Sequence, residues 1–300
     1  MNQGLIVAIK RFEIHDGDGI RSTLFLKGCP LSCLWCHNPE AISTQPQLAY
    51  NAGRCIGCLE CVRVCPVQAH QSIAGKHELD RSRCIACGRC APVCLSGALN
   101  FYGQLVSPNE VLARLLEDRI FYEASGGGVT LSGGEPLAQA DFCADLLGLL
   151  KRENIHTAVD TCGYAPKSEL RKILDVTDLF LYDLKCLDES KHIRLTGQSN
   201  RIILSNLCDL VDSNRAIEIR IPLIPGYQDD QIGPISRFLR QIGFTGKVKV
   251  LPYHRYATAK YEALGMNNTM PAVPAPDRAE IDNALQILRS DGLQAESGLD

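Results

Sequence analysis

The sequence predicts an α/β protein built from repeated β/α units and interrupted by a cysteine-rich insert. Three observations carry that prediction. Short apolar runs recur at residues 22–26, 129–132, 157–160, 179–183, 217–223 and 248–252, with segments of helical periodicity between them. From about residue 50 to 100 the alternation stops, and cysteine, glycine and proline punctuate the chain instead. The 300 residues, 45% of them hydrophobic, suffice for one large core. Six β/α units with right-handed connections imply a parallel sheet with helices outside, and six fall short of the eight that close a barrel.

In chain order, residues 5–9 and 22–26 read as short strands, bounded by Gly and Asp. Directly behind the second comes Gly28-Cys29-Pro30-Leu31-Ser32-Cys33-Leu34-Trp35-Cys36-His37-Asn38, with the spacing Cys-x3-Cys-x2-Cys. A [4Fe-4S] cube held by four thiolates is coordinatively closed. Three thiolates, from Cys29, Cys33 and Cys36, leave one iron open, as catalytic zinc sites keep a position that structural sites fill.

The insert contains an internal repeat. Cys55-x2-Cys58-x2-Cys61-x3-Cys65 recurs as Cys84-x2-Cys87-x2-Cys90-x3-Cys94, displaced by 29 residues at every cysteine. Eight cysteines could build two zinc knuckles as well as two iron–sulfur cubes, and the 2-2-3 spacing favours the cubes. Pro66 follows the first run, whereas Leu95 stands at that place in the second.

Behind the insert, Ser107-Pro108-Asn109-Glu110 offers an N-cap, a proline at the first helical position and an acid at the third, so a helix starts there. Candidate site residues follow the ends of the strands. Ser132-Gly133-Gly134-Glu135-Pro136 lets backbone approach a ligand closely and brings a carboxylate able to pair with an ammonium group. Asp160-Thr161-Cys162-Gly163 and Asp183-Leu184-Lys185 end the next two strands, where such groups also serve as caps or surface charges. Arg220 alternates with apolar neighbours and so points away from their face, and His254 ends the last strand; either also suits a structural hydrogen bond. Cys143, Cys162, Cys186 and Cys208 lack ligand spacing and read as small buried thiols, and the tail after Gly292 carries no signal.

Composition narrows the class. The net charge of −3 gives no basic field for nucleic acid or anionic membrane, no run approaches 18 apolar residues, and no secretory signal opens the chain. Fifteen cysteines without such a signal, eleven of them in regular short spacings between Cys29 and Cys94, point to metal ligation in a reducing compartment, so the expected location is cytoplasmic.

The cysteine triad, with aromatic Trp35 before its third member, resembles the radical S-adenosylmethionine (SAM) superfamily. The run Ile14-His15-Asp16-Gly17-Asp18-Gly19-Ile20-Arg21, with Phe25 and Gly28, is similar to the signature of glycyl radical enzyme activating enzymes, typified by pyruvate formate-lyase activating enzyme. The resemblance implies an open (β/α)6 TIM-like partial barrel over residues 1–49 and 101–300, with its site at the strand C-termini. The 50–100 insert resembles a two-cluster ferredoxin, in which the fourth cysteine of each run ligates the other cluster. Carried over, Cys55, Cys58, Cys61 and Cys94 hold one cube, and Cys84, Cys87, Cys90 and Cys65 the other.

By the same resemblance, SAM chelates the open iron and Gly133, Gly134 and Glu135 receive its amino group. Lys185 faces its carboxylate, and Arg220 and His254 line the SAM or substrate pocket. Asp160 and Asp183, with main-chain oxygens of Thr161 and Leu181, bind a monovalent cation, which as a hard ion requires oxygen ligands. Trp35 and His37 pack against the cluster, and Asp16 meets the glycine loop of a partner. The implied activity is reductive cleavage of SAM to a 5'-deoxyadenosyl radical, which takes a hydrogen atom from a glycine of a glycyl radical enzyme. The expected cofactors are three [4Fe-4S] clusters, SAM and a monovalent cation. The expected donor is flavodoxin or ferredoxin, and the protein is expected to be a monomer. The competing readings are a radical SAM enzyme acting on another substrate and a ferredoxin-type electron carrier.

Overall fold

A computed structural model describes residues 2–270 and 273–298. A nine-stranded sheet organises the chain. Its strands are β1 (Gly4–Glu13), β2 (Arg21–Leu26), β7 (Gln104–Val106), β8 (Gly128–Gly133), β9 (His156–Thr161), β10 (Leu179–Asp183), β11 (Ala216–Leu223), β12 (Lys247–Pro252) and β13 (Gln294–Ser297). Their order is β13-β12-β11-β10-β9-β8-β2-β1-β7. From β2 to β13 every neighbouring pair is parallel, while β1 and β7 add an antiparallel edge. The six expected strands are all present, and β7 does not pair with β13, so the sheet stays open.

Alternation within the strands sorts the chemistry. Leu24, Leu26, Val129, Leu131, Val159, Phe180, Tyr182, Ile217, Ile219, Ile221, Val248 and Val250 belong to the main core. That core also holds residues of the outer helices α4 (Ala140–Arg152), α7 (Arg201–Asp212), α8 (Ile232–Gln241) and α10 (Arg278–Ser290). The intervening positions, among them Thr23, Thr130, Ser132, Asp160, Asp183, Glu218, Arg220 and Lys249, therefore share the opposite face. Helix α2 (Pro108–Leu115) starts as expected. The Ser107 hydroxyl accepts from the Glu110 N–H, and the Glu110 carboxylate accepts from the Ser107 N–H at 2.7 Å.

Three expectations are corrected. The first strand is twice as long as its apolar run, because β1 bends through irregular register on its way to Glu13. Residues 294–297, expected to be featureless, form the seventh parallel strand; only Ala295 and Ser297 of β13 are buried, so its sequence carries little apolar signal. The last strand is thus β13, and His254 lies two residues past the end of β12.

The cysteine-rich segment leaves and rejoins the fold through one small ladder. There β3 (Gln47–Tyr50) pairs antiparallel with β6 (Leu99–Tyr102), placing Tyr50 opposite Leu99. Within the segment lie α1 (Glu60–Val64) and a hairpin of β4 (His70–Ile73) and β5 (Lys76–Leu79). Among the described residues no helix is long and apolar enough to cross a membrane.

Candidate functional site

The triad loop is held by main-chain hydrogen bonds to distant segments. Cys29 N–H donates to Ile42 O at 2.9 Å, Ser32 N–H to Thr196 O at 2.8 Å, and Leu34 N–H to Leu195 O at 3.0 Å. The last two acceptors end α6 (Glu189–Thr196). From α9 (Thr258–Leu264), Lys260 Nζ donates to His37 O at 2.8 Å and Asn38 Oδ1 at 3.0 Å and pairs with Glu40 at 2.7 Å, while Tyr261 Oη donates to Cys36 O at 3.1 Å. Sequence reasoning missed Lys260, Glu40 and Tyr261, because no local pattern joins positions over 200 residues apart.

The donor set fits an iron–sulfur cluster. Cys29, Cys33 and Cys36 are free of disulfides and electrostatically coupled to one another. Burial pushes the Cys29 and Cys36 thiols up to about 12 and raises Cys33 as well. Such thiols ionise only against a strong local positive charge, which a ligated metal supplies outright. Trp35 packs with Leu195, Ile224, Tyr253, Met270 and Cys33 behind the loop.

The Gly133-Gly134 turn abuts this loop. Gly134 N–H donates to Leu26 O at 2.9 Å and Glu135 N–H to Gly28 O at 2.8 Å. A Cβ on Gly134 would lie 2.3 Å from Gly28 O, so only glycine permits the approach. Glu135 departs from the expectation of a carboxylate open to an ammonium group. It is fully buried, and its oxygens accept from Leu137 N–H (2.9 Å), Thr161 Oγ1 (2.6 Å), Cys162 N–H (2.8 Å) and Cys162 Sγ (2.9 Å). What this segment offers a ligand is main chain.

On the polar face, Asp16, Asp160 and Asp183 gather around one guanidinium. Arg220 lies 3.8 Å from Asp160, 3.6 Å from Asp16 and 3.1 Å from Glu218, and donates to His15 O at 2.7 Å. Burial raises Asp160 to about 7; Arg220 opposes the rise, and Asp183 and Asp16 add to it. Ser132 Oγ donates to Asp160 at 2.6 Å. Asp16 enters from the β1–β2 connection, accepting from Thr23 Oγ1 at 2.8 Å. Leu181 lies opposite Asp160 in the ladder, beside the Tyr182–Thr161 pair. Lys185 Nζ donates to Asp183 at 2.7 Å. Burial disfavours its charge, but Asp183 and Cys33 outweigh that and raise its pKa.

A cavity of about 330 Å³ opens on this face, lined by Lys10, Glu13, Asp16, Phe25, His37, Asn38, Ser132, Asp160, His254, Tyr256, Ala257 and Lys260. His37 and His254 stack with ring centroids 4.0 Å apart, and burial lowers His37 to about 4, keeping it neutral. His254 Nδ1 is buried without a partner. Asp16, Asp160, His37 and His254 thus meet at one cavity. Lys185 lies beside Asp183 and Cys33, while Glu135 is sealed within the fold.

In the insert, one cavity is lined by Cys55, Cys58, Cys61 and Cys94, and the other by Cys65, Cys84, Cys87 and Cys90. Burial acts to raise Cys65, yet hydrogen bonds from the main-chain N–H groups of Val67, Ala69, His70 and Gln68 outweigh it and hold the thiol below its ordinary value. Cys94 is lowered in the same way, against burial, by Ser96, Leu99 and Ala98. Of the four remaining cysteines, Cys143, Cys162 and Cys186 are buried and Cys208 is half-buried.

Comparison with known proteins gives consistent relatives. A family model described as the radical SAM superfamily matches residues 23–239. The trans-4-hydroxy-L-proline dehydratase activating enzyme of Clostridioides difficile is 40% identical over 98% of this chain and 99% of its own. The choline trimethylamine-lyase activating enzyme of Oleidesulfovibrio alaskensis is 40% identical over 96% and 95%. A solved structure of TYW1 with a lysine-pyruvate adduct bound, 14% identical, superposes with a TM-score of 0.53 over 93% of this chain and 74% of that one, a likeness of fold alone.

Proposed function

The chain belongs to the radical SAM superfamily, among relatives that are activating enzymes, and from that premise we propose that it activates a glycyl radical enzyme. The observation that carries this reading is the triad of Cys29, Cys33 and Cys36 set beside a cation, Lys185, and a cluster of half-buried carboxylates. When bound, a [4Fe-4S] cluster and SAM supply a one-electron cleavage that yields methionine and a 5'-deoxyadenosyl radical, which takes a hydrogen atom from the Cα of one partner glycine.

The chain's own residues bind, orient and exclude water. Cys29, Cys33 and Cys36 hold the cluster, with Trp35 packed behind it and His37 shielding it. The main chain at Gly133, Gly134 and Glu135 receives the SAM amino group, and the Lys185 ammonium receives its carboxylate. Asp160 and Asp183, with main-chain oxygens of Thr161 and Leu181, hold a monovalent cation that offsets their mutual repulsion. Arg220 fixes the Asp16 and Asp160 carboxylates, and the unpartnered nitrogen of His254 faces SAM or substrate. Asp16 receives the partner's glycine loop in the 330 Å³ cavity.

Residues 50–100 form a ferredoxin-like module on the frame of residues 1–49 and 101–300. Its two cavities, lined by Cys55, Cys58, Cys61 and Cys94 and by Cys65, Cys84, Cys87 and Cys90, would hold two further [4Fe-4S] clusters, whose chemistry would be electron transfer from flavodoxin or ferredoxin. The protein works as a cytoplasmic monomer.

Reduced, iron-loaded protein given SAM should release 5'-deoxyadenosine, and Cys33→Ala should abolish the release. Co-expression with a glycyl radical enzyme should give a glycyl radical signal by electron paramagnetic resonance. Undiminished cleavage in the variant sinks the triad assignment, and cleavage without any glycyl radical points to another substrate.

A further inference from the structure

Two histidines join the cysteine-lined cavities of the insert. His70, on β4, lines the cavity of Cys65, Cys84, Cys87 and Cys90; His77, on β5, lines that of Cys55, Cys58, Cys61 and Cys94. Both are buried, and His70 Nδ1 lies 2.8 Å from His77 Nε2. That contact occupies one nitrogen of His77. The other, Nδ1, is buried with no partner, and interiors leave such atoms only where something further completes them. The ligating atoms of Cys61, His70 and His77 all fall within 4.8 Å of one another, so the pair lies against the sulfur of a cluster ligand.

What surrounds Nδ1 selects the tautomer. Besides the four cysteines, the His77 cavity is walled mainly by apolar groups, with the Tyr50 ring packed edge-on against the imidazole at 4.6 Å. With a cluster bound in the cavity that His77 lines, the sulfurs carry negative charge, and Nδ1 is the His77 nitrogen left free to meet them. A lone pair there is repelled, whereas an N–H is satisfied. A neutral imidazole has one donor and one acceptor, so His77 Nε2 must then accept from His70 Nδ1–H.

We propose that His77 donates a hydrogen bond from Nδ1 to the iron–sulfur cluster of Cys55, Cys58, Cys61 and Cys94, with His70 fixing its tautomer, and so raises the reduction potential of that cluster. The proposal rests on reading the insert as a two-cluster module. The direction follows because a donor to cluster sulfur stabilises the more negative, reduced state.

The test uses the full chain with Cys29, Cys33 and Cys36 replaced by alanine, so that only the insert clusters report. Iron and zinc content and both midpoint potentials are measured for this protein and for its His77→Leu and His77→Asn forms. With iron content preserved, His77→Leu should shift one midpoint to a more negative potential and leave the other in place. His77→Asn, which keeps a donor near the Nδ1 position, should return that midpoint toward the parent value. Two unmoved midpoints at full iron content overturn the role of His77 alone. Zinc uptake in the parent, at a site of Cys61, His70 and His77, overturns the two-cluster reading and the proposal with it. If His77→Leu does not load, pulsed paramagnetic resonance on parent protein carrying histidine labelled with nitrogen-15 in the imidazole ring alone decides: weak nitrogen coupling to a reduced cluster supports the proposal, and its absence overturns it.

Discussion

Glu135 shows how one carboxylate can tie a strand-end motif together without facing a ligand. Its two oxygens accept from Leu137, Thr161 and Cys162, so it fastens the Gly133-Gly134 turn to the end of β9. Glu135→Gln would set amide hydrogens against main-chain donors, at about 1–3 kcal/mol for a buried mismatch. Thermal melting of the protein without SAM should therefore fall by several degrees; an unchanged melt would show the carboxylate to be free of these partners. Lys185 lies on the binding side of the same site, between Asp183 and Cys33. Replacing it with methionine removes a charge-assisted contact of about 1.5–3 kcal/mol, so KM for SAM should rise by roughly 10- to 100-fold. A KM within a factor of about two would place the SAM carboxylate elsewhere.

At the scale of elements, α6 anchors the site, because its last two carbonyls hold the triad loop. His192 stabilises that end: Nδ1 donates to Gln198 O at 2.6 Å, and the Thr196 hydroxyl donates to His192 O at 2.8 Å. Burial lowers the pKa of His192 from its ordinary 6.5, so the folded protein keeps the ring neutral. The unfolded chain then binds the proton first. Its contribution to stability is present above pH 6.5 and is lost as pH falls below that value toward the folded pKa. Urea unfolding of metal-free protein should show a declining midpoint below pH 6.5. His192→Asn, which keeps the donor without the titration, should make that decline shallower, the other buried histidines supplying the rest, and an identical slope would remove His192 as a contributor.

At the scale of the whole molecule, Arg81 links the insert to the site. Arg81 donates from the insert to Leu48 O on β3 and to Ala263 O on α9, and α9 carries Lys260 and Tyr261 to the triad loop. Because Tyr50 and Leu99 are ladder neighbours, residues 51–98 can be replaced by a short turn without breaking β3 from β6. With a chemical reductant this shortened protein should retain most of its SAM cleavage, whereas reduction by flavodoxin or ferredoxin should fall to background. Loss of both activities would mean that the insert supports the barrel instead of relaying electrons.

The chain by itself determined whatever depends on near neighbours. Ligand spacing on one loop, the 29-residue repeat, the Ser107–Glu110 cap and the six apolar strands are all local patterns, and the structure has the cap and the six strands where they were expected. Tertiary structure alone decided which polar groups meet. Arg220 reaches His15 across 205 positions, Lys260 reaches Glu40 across 220, and Glu135 is sealed by Cys162 instead of facing the cavity. Strand β13 stayed hidden because burial of only alternate residues needs little hydrophobicity. The physical reason is common to all of these. Periodicity and metal spacing are fixed by bond geometry along the backbone, whereas the partner of a buried charge is fixed only when the sheet brings distant strand ends within hydrogen-bonding range.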